Sequence, residues 1–234
     1  MPRMTGAALL ARARKYTDDL VAPYYTDDED MYLYISEAER QLAVTGKLLR
    51  DVRRYKTKDN GRWLNLIDDP EIIEFKVAWL ENEGGQRFRL ELKGTMDPAP
   101  ATRPYYDDYG ATAATSALVK GRPLMMQFGK RTGYAELVPI PDGVYTVEAS
   151  LVTYPANAIT SATYPEIAER YHQHIPVGAA LMALEAVKHE YAPQKIQNLE
   201  VAWNRALTRV QHESGEFNRD ASTVHFSNDM WEGV

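Results

Sequence analysis

The side chains with the widest chemical range in this chain are its histidines and its clustered acids. His172 and His174 lie two residues apart. On a helix, residues at that spacing point about 200° apart and cannot share a metal ion; in an extended segment they can. No acidic third ligand stands at a recognised spacing, and His189, His212 and His225 are scattered downstream. Neither an HExxH helix nor an EF-hand loop is present. The run Asp27-Asp28-Glu29-Asp30 could hold a divalent cation, but acids at the start of a helix already answer to the helix dipole. Asp68-Asp69 before Pro70 and Asp107-Asp108 between tyrosines read as turn and loop residues. There is no GxSxG elbow and no GxxxxGK[ST] phosphate loop. With no cysteine, thiolate metal sites, disulfides and cysteine nucleophiles are all excluded. The expectation is a protein with no catalytic, cofactor-binding or metal-binding residue, and not an enzyme. The chemical alternative is a small metal-dependent hydrolase using His172, His174 and nearby carboxylates.

Basic residues cluster at Arg12, Arg14 and Lys15, and again from Lys47 to Lys58. The second cluster, with Arg50, Arg53, Arg54, Lys56 and Lys58, could touch DNA phosphates, pair with an acidic neighbour, or simply form a solvated helix end. A net charge of −6 weighs against a protein that grips nucleic acid, though an acidic wall suits one that lets a duplex slide past. The Met1-Pro2-Arg3-Met4 start leads into an Ala/Leu run that is too short and too charged for a signal peptide or membrane span. An intracellular protein, or one assembled inside a cell, is expected. Fifteen Tyr against five Phe suit surfaces that are part buried and part wet, as at subunit contacts or in a β-rich domain.

The elements read as helices, then strands, then helices, then a polar tail. A first helix is expected from Thr5 to Leu20, ended by Pro23. A second begins at a Thr26-to-Glu29 capping box, carries Met31, Tyr34, Ile35, Ala38, Leu42, Leu48 and Leu49 at helical spacing, and runs to about Arg53. The pattern changes at Asn60-Gly61. Strands are expected over Trp63 to Ile67, Ile72 to Leu80, Phe88 to Leu92, Leu124 to Phe128, Tyr134 to Val138 and Tyr145 to Tyr154, the last being the longest. Glu83-Gly84-Gly85 supplies a hairpin turn, and Val147, Ala149 and Leu151 share one face with Tyr145 and Thr153. Residues 95–122 read as loop with room for one short helix. Helices restart at Pro165, Pro176 and Pro193, where proline fits a first turn. From about Glu213 a polar tail, or an arm that orders against a partner, is expected.

In this order the pieces resemble the head-to-tail connector (adaptor) proteins of tailed bacteriophages, found between portal and tail nozzle of short-tailed phages. The resemblance is carried by the helix ending Tyr16-Thr17-Asp18-Asp19-Leu20, the capped helix containing Ile35-Ser36-Glu37-Ala38, and the turn Val138-Pro139-Ile140-Pro141-Asp142-Gly143-Val144-Tyr145. That turn leads into a strand ending Tyr154-Pro155, followed by Tyr164-Pro165-Glu166, Tyr171-His172 and an Ala-rich helix. It covers about Thr5 to Val210. It implies an α+β fold: a helical bundle from residues 1–58 and 160–213, a largely antiparallel β-rich insertion over 59–159, and an extended C-terminal arm over 214–234. It further implies a structural virion protein at the head–tail junction, assembled in the host cytoplasm. Its implied partners are copies of itself in a closed ring, usually of twelve, the portal protein, the tail nozzle or tube protein, and the double-stranded DNA passing through the channel. No membrane is implied. A non-viral binding module with an acidic surface remains the third alternative.

Overall fold

A computed structural model describes residues 3–21, 24, 26–69, 71–93, 120–128, 133–187 and 193–222. The fold is α+β. It divides into two units: Met1–Leu49 with Tyr154–Val234, and Arg50–Thr153 between them.

Among the described residues the first unit is built on four helices. Helix α1 (Gly6–Thr17) starts where the Thr5 hydroxyl accepts from the Ala8 N–H. It ends at Asp18, which takes the left-handed conformation. Helix α2 (Asp28–Gly46) is capped by Asp27, whose carboxylate accepts from the Asp30 N–H at 2.8 Å. Asp27, one residue after the expected Thr26, is the cap because the Thr26 backbone is committed elsewhere: its N–H donates to Asp19 and its carbonyl accepts from Arg14. Helix α3 (Ile175–Val187) carries Pro176 in its first turn, and α4 (Pro193–Ser222) begins on Pro193. Leu9 and Ala13 of α1, Ile35 and Leu42 of α2, Ala179 and Ala180 of α3, and Trp203 and Val210 of α4 meet in one core. Gly178 lets α3 approach α4, since a Cβ there would stand 2.7 Å from the Trp203 ring.

Four boundaries differ from expectation. Helix α1 stops at Thr17, short of Leu20, because Asp18 takes the left-handed conformation and closes it. Helix α2 stops at Gly46, not Arg53. Gly46 has no room for a Cβ against Val210 and Leu48, and Lys47 closes the helix in the left-handed conformation, with Leu48 N–H donating to the Ala43 carbonyl. Pro165 does not start a helix; residues 154–168 run without helix to a single 3-10 turn at Glu169–Tyr171. Residues 214–222, expected as extended tail, continue α4 to Ser222. Residues 223–234 lie outside the described residues.

Among the described residues the second unit holds nine strands: β1 (Arg50–Lys56), β2 (Trp63–Asn65), β3 (Ile72–Glu81), β4 (Arg87–Lys93), β5 (Lys120–Gly121), β6 (Met125–Gln127), β7 (Tyr134–Val138), β8 (Ile140–Pro141) and β9 (Thr146–Thr153). Seven form one sheet in the order β1-β9-β3-β4-β6-β7-β2, and β5 pairs with β8 separately. All neighbours in the larger sheet are antiparallel except β4 and β6. The expected hairpins β3–β4 and β6–β7 are present. β3, not β9, is the longest strand described. The missed strand is β1, the segment expected as the end of α2. It moves the start of the β unit from residue 59 to Arg50, and the unit closes at Thr153, not 159. Leu80, Leu90, Met126, Leu137, Val147, Ala149 and Leu151 form the inward face. The loop expected over 95–122 falls largely outside the described residues.

Candidate functional site

In the first unit the non-helical segment before α3 is held by two carboxylates. The Glu39 side chain, buried on α2, accepts from both the Glu166 and Ile167 N–H groups. The Glu166 carboxylate accepts from the Ala156 and Asn157 N–H groups and from the Asn157 amide. Together these bonds take up N–H groups that would otherwise be orphaned along an irregular stretch. Burial pushes the Glu39 carboxyl up from 4.5 to about 7, against the opposing pull of its two backbone donors.

His172 completes this clamp. It is fully buried, its Nδ1 accepts from the Met4 N–H at 3.2 Å, and its Nε2 lies 2.9 Å from the Ile167 carbonyl. Those partners select the tautomer with the proton on Nε2. Both ring nitrogens are engaged, so a metal ion could bind only by displacing one of these bonds. His174 is half-buried beside the Gln173 amide, and burial, with Arg209 nearby, lowers its pKa. The two histidines thus have separate partners. His212 is exposed on α4, while His189 and His225 lie outside the described residues. Among the described residues no group of three or more His, Asp or Glu side chains is placed to hold a metal ion.

The basic clusters divide once their partners are known. Arg14 is buried, pairs with Asp19 at 2.8 Å and with Asp28, donates to the Thr26 carbonyl, and lies 3.6 Å over the Tyr24 ring. It ties the end of α1 to the start of α2, whereas Arg12 and Lys15 are exposed. The acidic run at the start of α2 is therefore partly spent on Arg14 through Asp28, and on the helix cap through Asp27. In the second unit Arg53 gathers Asp51 at 2.9 Å, Glu71 at 2.5 Å and Asp69. Its guanidinium holds the Asp51 and Glu71 carboxyls below their usual range. Burial, then the nearby Asp69, raises the Tyr55 hydroxyl pKa. Asp68 accepts from the Asn65 amide. Asp107 and Asp108 lie outside the described residues.

On the outward face of the sheet the register aligns Arg54 of β1, Glu148 of β9 and Trp79 of β3 in one row. Glu148 is shared by Arg54, at 2.6 Å, and Arg87. Arg87 also lies over the Trp79 ring. A depression on the sheet is lined by Lys76, Val77, Arg89, Glu91 and Leu124, a mixed charged and apolar set. What remains outward on β1 is Arg50, Val52, Arg54 and Lys56. On a helix, as expected for the first part of this segment, Val52 would point about 200° away from Arg50 and Arg54, which hid the stripe in the sequence. No known family profile matches the chain, and no curated protein matches it. Among the described residues, no helix is long and apolar enough to cross a membrane.

Proposed function

We propose that this chain is a structural protein of a tailed-phage virion, an adaptor that closes into a ring between portal and tail around the DNA exit channel. The observation that carries this function is the chain order of its parts. A helical unit is made from both ends of the chain, and a mostly antiparallel β unit is inserted between them. That is the arrangement expected from the resemblance to connector proteins. Two further features support it. The ionisable side chains with strong perturbations serve packing: Glu39 anchors a loop and Arg53 pairs with three carboxylates. Arg14 and Arg53, each held by two or more of the chain's own carboxylates, are poor counterions for phosphate, and with a net charge of −6 this fits DNA passing by better than DNA being gripped.

The proposed partners are further copies of the chain, the portal, and the tail nozzle or tube. The site of assembly is the host cytoplasm and the final location the head–tail junction. The direct test is co-sedimentation of the purified chain with portal rings from the phage that encodes it. A saturable complex in which several copies of the chain bind each portal ring is expected; failure to co-sediment at any concentration would remove the assignment. A hydrolase working through His172 would instead lose its activity in His172→Gln without a change in assembly.

A further inference from the structure

Two exposed stripes on this chain carry the same unusual pattern with opposite charge. On α2, Glu29, Leu33 and Glu37 lie four residues apart, on one face of the helix and about 6 Å apart along its axis. Leu33 is 63% exposed, and both glutamates are exposed. On β1, Arg50, Val52 and Arg54 lie two residues apart, on one face of the strand and about 6.7 Å apart. Val52 is 62% exposed, and both arginines are exposed. Each stripe is an apolar side chain flanked by two like charges, at nearly equal spacing, acidic on the helix and basic on the strand.

We infer that these stripes bind each other between two copies of the chain, the Glu29–Leu33–Glu37 face of one against the Arg50–Val52–Arg54 face of the next, which rests on the ring-assembly function proposed above. The charges select the partner: either stripe against its own copy sets like charges together, whereas helix against strand pairs both charges and covers both apolar residues. Made once between any two copies, such a contact joins two different surfaces and repeats from copy to copy until it closes as a ring or extends as a filament; made twice between the same two copies it closes a two-fold dimer, and linked species that stop at the dimer would overturn the inference. The neighbouring groups are compatible with it. Lys56 extends the basic stripe, and Glu148 holds Arg54 on its strand while leaving that side chain 70% exposed. On α2, Gln41 donates to Glu37, and Arg40 is turned onto the Tyr154 ring at 4.2 Å. Among the described strands β1 is also the terminal one of the sheet, and its charges discourage strand-to-strand pairing, which leaves side-chain docking as the mode of contact. Exposed ion pairs around one small apolar contact make each junction weak, so assembly depends on ring closure or on a templating surface.

The chain has no native cysteine, which makes a covalent trap clean. The full-length Leu33→Cys/Val52→Cys protein, oxidised at high concentration, is expected to give a ladder of reducible multimers whose linked peptides join residue 33 of one chain to residue 52 of another. Neither single-cysteine variant should give the ladder. In the same cysteine background, Glu29→Arg/Glu37→Arg and Arg50→Glu/Arg54→Glu should each abolish the ladder, with folding checked by circular dichroism. An equimolar mixture of the two should restore it, because their reversed stripes again match. A 33–52 link within one chain would overturn the inference. So would rings seen by microscopy without an intermolecular 33–52 link, which would leave the assembly function standing. A protein that neither links nor assembles, alone or on the portal, would overturn both.

Discussion

Burial and hydrogen bonding pull the Glu39 carboxyl in opposite directions, and burial is the stronger, placing it at about 7. A carboxyl raised above its unfolded value of 4.5 makes the folded state bind the extra proton between about pH 4.5 and 7. Its contribution to stability is therefore largest below pH 4.5 and is lost as pH rises through 7. At about 1.4 kcal/mol per pH unit, the span is on the order of 3 kcal/mol. Glu39→Gln keeps an acceptor for the Glu166 and Ile167 N–H groups and removes the titration. Its melting temperature relative to wild type should climb as pH rises from 5 to 8 and then level off. A difference that stays flat with pH would refute the burial-driven shift. His174, lowered by burial, acts in the opposite sense, losing stability as pH falls below its unfolded value of 6.5, so the comparison must be made between variants and not along the wild-type curve alone. At Gly178 the cause is steric. A methyl group pressed onto the Trp203 ring should destabilise Gly178→Ala by about 1–3 kcal/mol in denaturant melts, and a neutral result would mean α3 can back away from α4.

At the scale of elements, Arg53 is what lets a charged edge strand stay in place. It gathers Asp51 of its own strand with Asp69 and Glu71 from the turn before β3. Asp51 and Glu71 have lowered pKa values, so their contribution is present above the usual carboxylate range and is lost as pH falls through it. Arg53→Gln should erase that acid-sensitive component and speed amide exchange across β1 at neutral pH, without altering exchange in α3. Unchanged protection in β1 would show that its pairing with β9 suffices. This strand also marks where the sequence was hard to read. Leu48 and Leu49 continue the helical spacing of α2, and the cations after them look like the end of a helix. The signals that break the helix are Gly46, where a Cβ would meet Val210 of α4, and the left-handed Lys47, and the first depends on a residue far away in sequence. An edge strand with its outward face in solvent also shows no apolar alternation. The inward strands were legible because burial on one face writes period two into the sequence, as in Val147, Ala149 and Leu151. Pro165 misled for a related reason: the N–H groups after it are taken by Glu39, a partner 127 residues away in sequence that no local pattern reveals. The parallel pairing of β4 with β6 across residues 94–119 was likewise not legible.

For the whole molecule, the alternation of helical and strand regions was readable from periodicity, whereas the junctions between the units were not. Arg50 and Val152 are cross-strand partners, so the β unit leaves and re-enters the helical unit at points about 5 Å apart. An insertion whose ends meet is one that either unit can lose. Residues 50–153 expressed alone should fold cooperatively, and a chain joining Leu49 to Tyr154 through a short Gly/Ser linker should keep its helical circular dichroism and a sharp melt. A broad, non-cooperative melt of either piece would show that each needs the other. Assembly into a ring around DNA would be visible in negative-stain micrographs of the full-length chain, alone and mixed with portal rings. Closed rings of one stoichiometry with an open centre wide enough for duplex DNA, formed spontaneously or on the portal, are expected. Monomers or dimers that ignore the portal under every condition would contradict it.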